Sequence, residues 1–154
     1  MLAALAIFGA ACIFLGCHPE PETGFLEIRN TNSGRLHGRL PIEEYGRFAI
    51  EFIHSVNQSP VTEFFRVENG MIRLLAVRFF SYGAGIQSDL QEGQTLNRDG
   101  DAMILSGLNT SFKELNYIIG TVSDHLLIID EQVISLRELF GRNAQITIYI
   151  DVYP

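Results

Sequence analysis

Two short stretches hold side chains capable of acid–base or metal chemistry. "HSVNQSPVTE" carries His54, Ser55, Ser59 and Glu63, and "SDH" places Asp124 beside His125. If His54 and Glu63 meet across a hairpin, where facing residues stand about 5 Å apart at Cβ, they can act as a base and its partner, or as two metal ligands. Adding Asp124 and His125 gives a two-imidazole, two-carboxylate set of the kind that holds zinc or another divalent ion. The plainer account makes His54 a core imidazole bonded to a backbone carbonyl or to Glu63, with Asp124 capping a turn. Neither pair has a recognised ligand spacing, so only the fold can bring them together. No Gly-x-Ser-x-Gly elbow accompanies Ser55 or Ser59, so nucleophilic catalysis has no further support. "SYGAG" at 81–85 holds Gly83 and Gly85 after a strand, either as a corner of the sheet or as a backbone cradle for an anionic group. "RDGDA" at 98–102 lacks the remaining calcium-loop positions and reads as a turn.

Strands are expected to carry these residues. In "RFAIEFIHSV", Phe48, Ile50, Phe52 and His54 alternate with Ala49, Glu51, Ile53 and Ser55, which is the period of a strand. "VTEFFRV" and "MIRLLAVRFFSY" continue the pattern on either side of Glu68-Asn69-Gly70, a hairpin signal because Asn and Gly tolerate positive φ. Together these three runs form an antiparallel meander. "FLEIRN" and "GRLHGRLPI" precede it, joined by a turn at 30–34. "AMILSGL", "LNYIIGTV", "DHLLIID" and "VIS" follow, with a tight turn at 130–132. The interval "GAGIQSDLQEGQTLNRDGD" reads as a long loop or two short turns. Ser135 and Glu138 have capping-box spacing, which predicts one or two helical turns in "SLRELFG" ended by Gly141. "QITIYIDVY" closes the chain with Ile146, Ile148, Ile150 and Val152 on one face and Thr147, Tyr149, Asp151 and Tyr153 on the other. The expected fold is all-β, an antiparallel sandwich or partly open barrel of eight or nine strands with one short helix near the C-terminus.

The 154 residues suffice for one domain with a core, expected over 25–154. Hydrophobic residues make up 47% and charged ones 19%, which excludes a disordered chain. The net charge of −7 falls entirely after residue 17, and no Lys/Arg cluster breaks it, so nucleic acid is not an expected partner. Residues 1–16 form an uncharged apolar run ending at Gly16-Cys17, with a polar linker over 18–24. Residues 1–17 thus read as an export segment: a lipobox that would lipidate Cys17, or an uncleaved membrane anchor, with a buried apolar strand or helix as the remaining reading. The first two place the domain in the cell envelope, facing the periplasm or exterior. Both cysteines, Cys12 and Cys17, fall in this segment, leaving no internal disulfide or thiolate site for the domain.

The combination of "HSVNQSPVTEFF", "YGAG", "SDHLLI" and "LRELFG" resembles the bacterial family catalogued as domain of unknown function 1850. His54, Ser55, Ser59, Pro60, Glu63, Gly83, Ala84, Gly85, Asp124 and His125 match its motif positions, while Ile86-Gln87 departs from it. The resemblance implies an exported protein with a hydrophobic amino-terminal segment, working beside tripartite ATP-independent periplasmic (TRAP) transporters that use TAXI solute-binding proteins. On that reading the protein is a non-catalytic accessory or binding domain with no cofactor, held at the membrane by its N-terminal segment and partnered by a transporter or solute-binding component. The alternative is a small zinc-type hydrolase built on His54, Glu63, Asp124 and His125.

Overall fold

A computed structural model describes residues 23–80 and 90–152. The strands run β1 (Thr23–Asn30), β2 (Leu36–Glu43), β3 (Arg47–Ile53), β4 (Pro60–Glu68), β5 (Met71–Phe79), β6 (Thr95–Asp99), β7 (Ala102–Phe112), β8 (Glu114–Ile118), β9 (His125–Ile129), β10 (Gln132–Ser135) and β11 (Gln145–Val152), with helix α1 (Leu136–Phe140) before the last. They form two antiparallel sheets. The smaller has the order β2-β1-β11-β8, and the larger β10-β9-β3-β4-β5-β7-β6. The sheets do not close on each other, so the architecture is the sandwich and not the partly open barrel.

Period-two patterning explains how the layers meet. Phe48, Ile50, Phe65, Val67, Ile72, Leu127 and Ile129 line the inner face of the large sheet. Opposite them stand Leu26, Ile28, Ile42, Leu115, Ile146, Ile148 and Ile150 of the small sheet. Successive strand residues point to opposite faces, so these inward side chains recur at every second position along their strands. The chain passes between sheets at the β2–β3 turn, at Lys113 between β7 and β8, through 119–124 between β8 and β9, and through α1 between β10 and β11.

Local chemistry sets the turns. Asn69 and Gly70 take φ of 54° and 67° between β4 and β5, and Asp130 and Glu131 take 46° and 65° between β9 and β10. Both are two-residue hairpin turns, the second one residue shorter than expected because Gln132 already pairs with Ile129. Ser135 caps α1 by accepting from the Glu138 N–H at 3.0 Å, and Gly141 ends the helix with φ 85°. One strand was not legible as such: β6 lies inside the expected loop and pairs with β7 at the sheet edge. Its burial is nearly nil apart from Leu96, so it carries no apolar alternation. The Asp99-Gly100-Asp101 segment is the β6–β7 turn, as expected.

The outer face of the small sheet carries a closed polar network. Glu27, 5% exposed, accepts from the Tyr149 hydroxyl at 2.6 Å and pairs with Arg29 at 2.9 Å and Arg39 at 3.2 Å. The Tyr149 bond leads in holding the Glu27 carboxyl below its ordinary value, against the cost of burial, with the Arg29 bond and the charges of both arginines adding to it. Asp151 meets Arg39 at 2.8 Å, and Thr147 bonds Thr31 and Asn116. Thr147, Tyr149 and Asp151 of β11 are therefore engaged with their neighbours in the sheet.

Candidate functional site

The β3–β4 register decides how the first pair of candidates can meet. Ile50 faces Glu63, and Ile53 faces Pro60. The strand ends there, and the turn that follows is closed by His54 N–H donating to the Ser59 carbonyl at 2.9 Å and Gln58 N–H donating to the His54 carbonyl at 2.9 Å. His54 is therefore opposite Ser59, and the expected His54–Glu63 contact does not form. The hairpin is centred between Val56 and Asn57; pairing His54 with Glu63 would need its centre two residues further on.

Glu63 instead lies on the inner face of β4, between Val61 and Phe65, and reaches across the sandwich. The Tyr117 hydroxyl of β8 donates to Glu63 Oε2 at 2.6 Å, joining the two sheets through one hydrogen bond. Burial raises the Glu63 carboxyl above its ordinary value, and the Tyr117 bond partly offsets this. Tyr117 is pushed up strongly, first by burial and then by the charge and hydrogen bond of Glu63. Tyr117 was not among the candidates read from the sequence. The signal was present: it sits between Leu115 and Ile119 on an inward face, and a buried tyrosine hydroxyl needs a partner.

Asp124 is committed elsewhere. Its carboxylate accepts from the Ser135 hydroxyl and, at 3.0 Å, from the Arg137 N–H, so it holds the start of α1 against the entry to β9. The expected cap of a local turn is replaced by this contact with a helix start more than ten residues along the chain. His125 opens β9 opposite Phe52, with the two rings stacked at 5.2 Å and 16°. The Tyr117 ring is tilted against it at 5.8 Å. Burial lowers the His125 pKa, and the Asp124 charge opposes that.

The four residues of the metal alternative thus separate into different settings. Glu63 bonds Tyr117, Asp124 bonds α1, and only the two imidazoles share a space. Among the described residues no group of three or more His, Cys, Asp or Glu side chains is placed to hold a metal ion. Gly83 and Gly85, with Ala84, lie outside the described residues, as does Cys17.

The shared space is a cleft of about 390 Å³ at one end of the sandwich. Phe52, Ile53, His54, Ser55 and Gln58 of the β3–β4 hairpin form one wall. Ile118, Gly120, Thr121, Val122, Ser123 and His125 of the β8–β9 crossing form the other. Ser123 Oγ ties the two by donating to the Ile53 carbonyl at 3.5 Å. Two of the lining side chains are exposed aliphatics, Val122 at 87% and Ile118 at 64%. Each imidazole accepts a backbone N–H at Nδ1, His54 from Val56 at 3.1 Å and His125 from Gly120 at 3.4 Å. A neutral imidazole whose Nδ1 accepts carries its proton on Nε2, so both rings are Nε2–H donors.

The cleft has a definite place relative to the chain's entry. In the small sheet, Ile118 pairs with Gln145, and Ile146 with Asn30, at the cleft end, while Gly24 pairs with Val152 and Thr23 with Glu43 at the other. The seven steps from Thr23 to Asn30 span about 23 Å at the usual strand rise. Thr23 therefore lies at the end of the sandwich remote from the cleft.

No curated protein and no solved structure matches the chain. A family model described as a domain of unknown function, DUF1850, matches residues 48–136. That span runs from Phe48 in β3 through β10, takes in every residue named in the cleft, and leaves β1, β2 and β11 outside. The chain belongs to the DUF1850 family.

Proposed function

We propose that the protein is an exported, membrane-tethered and non-catalytic binding domain that serves a TRAP-type transporter with a TAXI solute-binding protein, and that the cleft between the β3–β4 turn and the β8–β9 crossing is its binding site. The observation that carries this reading is the division of labour among the candidate groups. The two carboxylates that acid–base or metal chemistry would draw on are committed to Tyr117 and to α1. The two imidazoles line an open space whose volume falls within the range of small-ligand sites.

Placement supports it. Thr23 lies at the far end, so a tether attached there would leave the cleft facing away from the anchor and open to partners. Anchoring raises the local concentration of the domain near a membrane-embedded transporter, so a weak contact suffices. The test is purification of the tagged full chain from membranes, read by mass spectrometry for partner proteins and for Cys17 lipidation. A transporter or TAXI component enriched with the wild type and lost with Val122→Asp supports the proposal. Stoichiometric zinc that disappears in His54→Ala, with no transporter component, replaces it with the hydrolase.

A further inference from the structure

We propose that the group recognised in the cleft is the carboxylate of a small aliphatic acid, held by the Nε2–H donors of His54 and His125 with its hydrocarbon part against the apolar rim. This rests on the cleft being the binding site. Three features of the lining select the ligand.

The first is the tautomer. Backbone N–H groups of Val56 and Gly120 occupy the Nδ1 lone pairs, which fixes both rings as donors at the remaining nitrogen. Neither Nε2 has a hydrogen-bond partner among the described residues. Two donors unmatched among the described residues suit an acceptor on the ligand.

The second is charge. No Asp or Glu appears among the described lining residues, so the site offers no partner to a cation. It also holds no Lys or Arg, which phosphate and other polyanions favour. A single carboxylate fits between these limits. The hydroxyls of Ser55, Thr121 and Ser123 and the amide of Gln58 supply further polar contacts at the edge.

The third is the apolar surface. Phe52 and Ile53 line the cleft, and Ile118 and Val122 both line it and stand exposed at its mouth. Apolar area of this kind is stabilised by covering it with hydrocarbon. A branched or straight chain of a few carbons matches the space.

The test uses the full chain and 4-methylpentanoate as probe, with 4-methylpentan-1-ol as the control that keeps the hydrocarbon and drops the carboxylate. Imidazole nitrogen NMR at alkaline pH reads the tautomers, and titration reads binding. Expected are Nε2–H signals for both His54 and His125, saturable shifts of both with the acid, and binding of the alcohol weaker by about tenfold or more. His54→Ala, in a half-exposed turn, weakens acid binding by a similar factor. His125→Phe, which retains the ring packing on Phe52, does the same if folded by its amide spectrum. An Nδ1–H tautomer at either ring, or equal binding of acid and alcohol, overturns the assignment. If the acid fails to bind while a transporter component still co-purifies, the ligand class falls and the partner stands. Acid binding with no partner captured upholds the ligand class and removes the transporter.

Discussion

Tyr117→Phe removes one oxygen from the hydrogen bond that joins the two sheets, and the consequence depends on pH in a way the structure fixes. The hydroxyl donates to a half-buried carboxylate at 2.6 Å, and the substitution leaves the ring packing in place. A hydrogen bond to a charged group contributes about 1.5–3 kcal/mol, against about 0.5–1.5 kcal/mol for a neutral one. The Glu63 carboxyl already sits above its ordinary 4.5 in the folded state because of burial, and Tyr117 is what lowers it. A carboxyl whose folded value is raised costs stability as pH rises from 4.5 through that value, because the folded state holds its proton longer than the unfolded chain. Losing Tyr117 raises it further and enlarges that cost. Urea unfolding should therefore show a loss of about 0.5–1.5 kcal/mol near pH 4 that grows to about 1.5–3 kcal/mol near pH 7.5. At the upper pH this corresponds to a fall in Tm of about 3–10 °C. Glu63→Gln keeps an acceptor for Tyr117 and removes the titration, so in that background the Tyr117→Phe loss should no longer vary with pH. An equal loss at both pH values in the wild-type background would show that Tyr117 does not govern the charge on Glu63.

Other perturbations test other parts of the structure. Gly107→Ala should cost more than about 2 kcal/mol in chemical unfolding, since φ is +77° there and a Cβ would overlap the Gly93 carbonyl oxygen; a near-neutral result would mean that β7 does not take this bulged path. Ser135→Ala removes both the α1 cap and a donor to Asp124, for a loss of about 1–2 kcal/mol by thermal melting. His125 has a lowered folded pKa through burial, so it contributes stability above 6.5 that is lost as pH falls below that value toward the folded pKa. His125→Phe should flatten the stability profile in that window, and an unchanged slope would place the titration elsewhere.

The parts of the fold that were legible are those where one local rule acts alone. Alternation in β11, the Asn69-Gly70 turn and the Ser135–Glu138 cap each follow from a few neighbouring residues, and each is present; in β3 the outward Ala49 is buried as well. Register is different. Moving the β3–β4 hairpin centre two residues further on would pair His54 with Glu63 and still leave every side chain on its own face, so apolar alternation accepts either arrangement. The turn from His54 to Ser59 selects the observed one by closing two backbone hydrogen bonds. Edge strand β6 escaped because an exposed strand needs no apolar face. The imidazoles in the cleft are held at Nδ1 by backbone donors at Val56 and Gly120, which no side-chain pattern reveals. The Tyr117–Glu63 bond could have been anticipated, since both residues occupy inward slots among apolar neighbours and each requires a partner there.

Site-specific photo-crosslinking in intact membranes asks whether the cleft is the surface that meets the transporter. A photoreactive residue at Val122 or Ile118 stands on the rim of the cleft, whereas one at Tyr45, 58% exposed in the β2–β3 turn, stands at the opposite end. Adducts to a transporter or TAXI component are expected from the two rim positions and none from Tyr45. Adducts from Tyr45 with none from the rim would move the contact surface to the anchored end and take the cleft out of it.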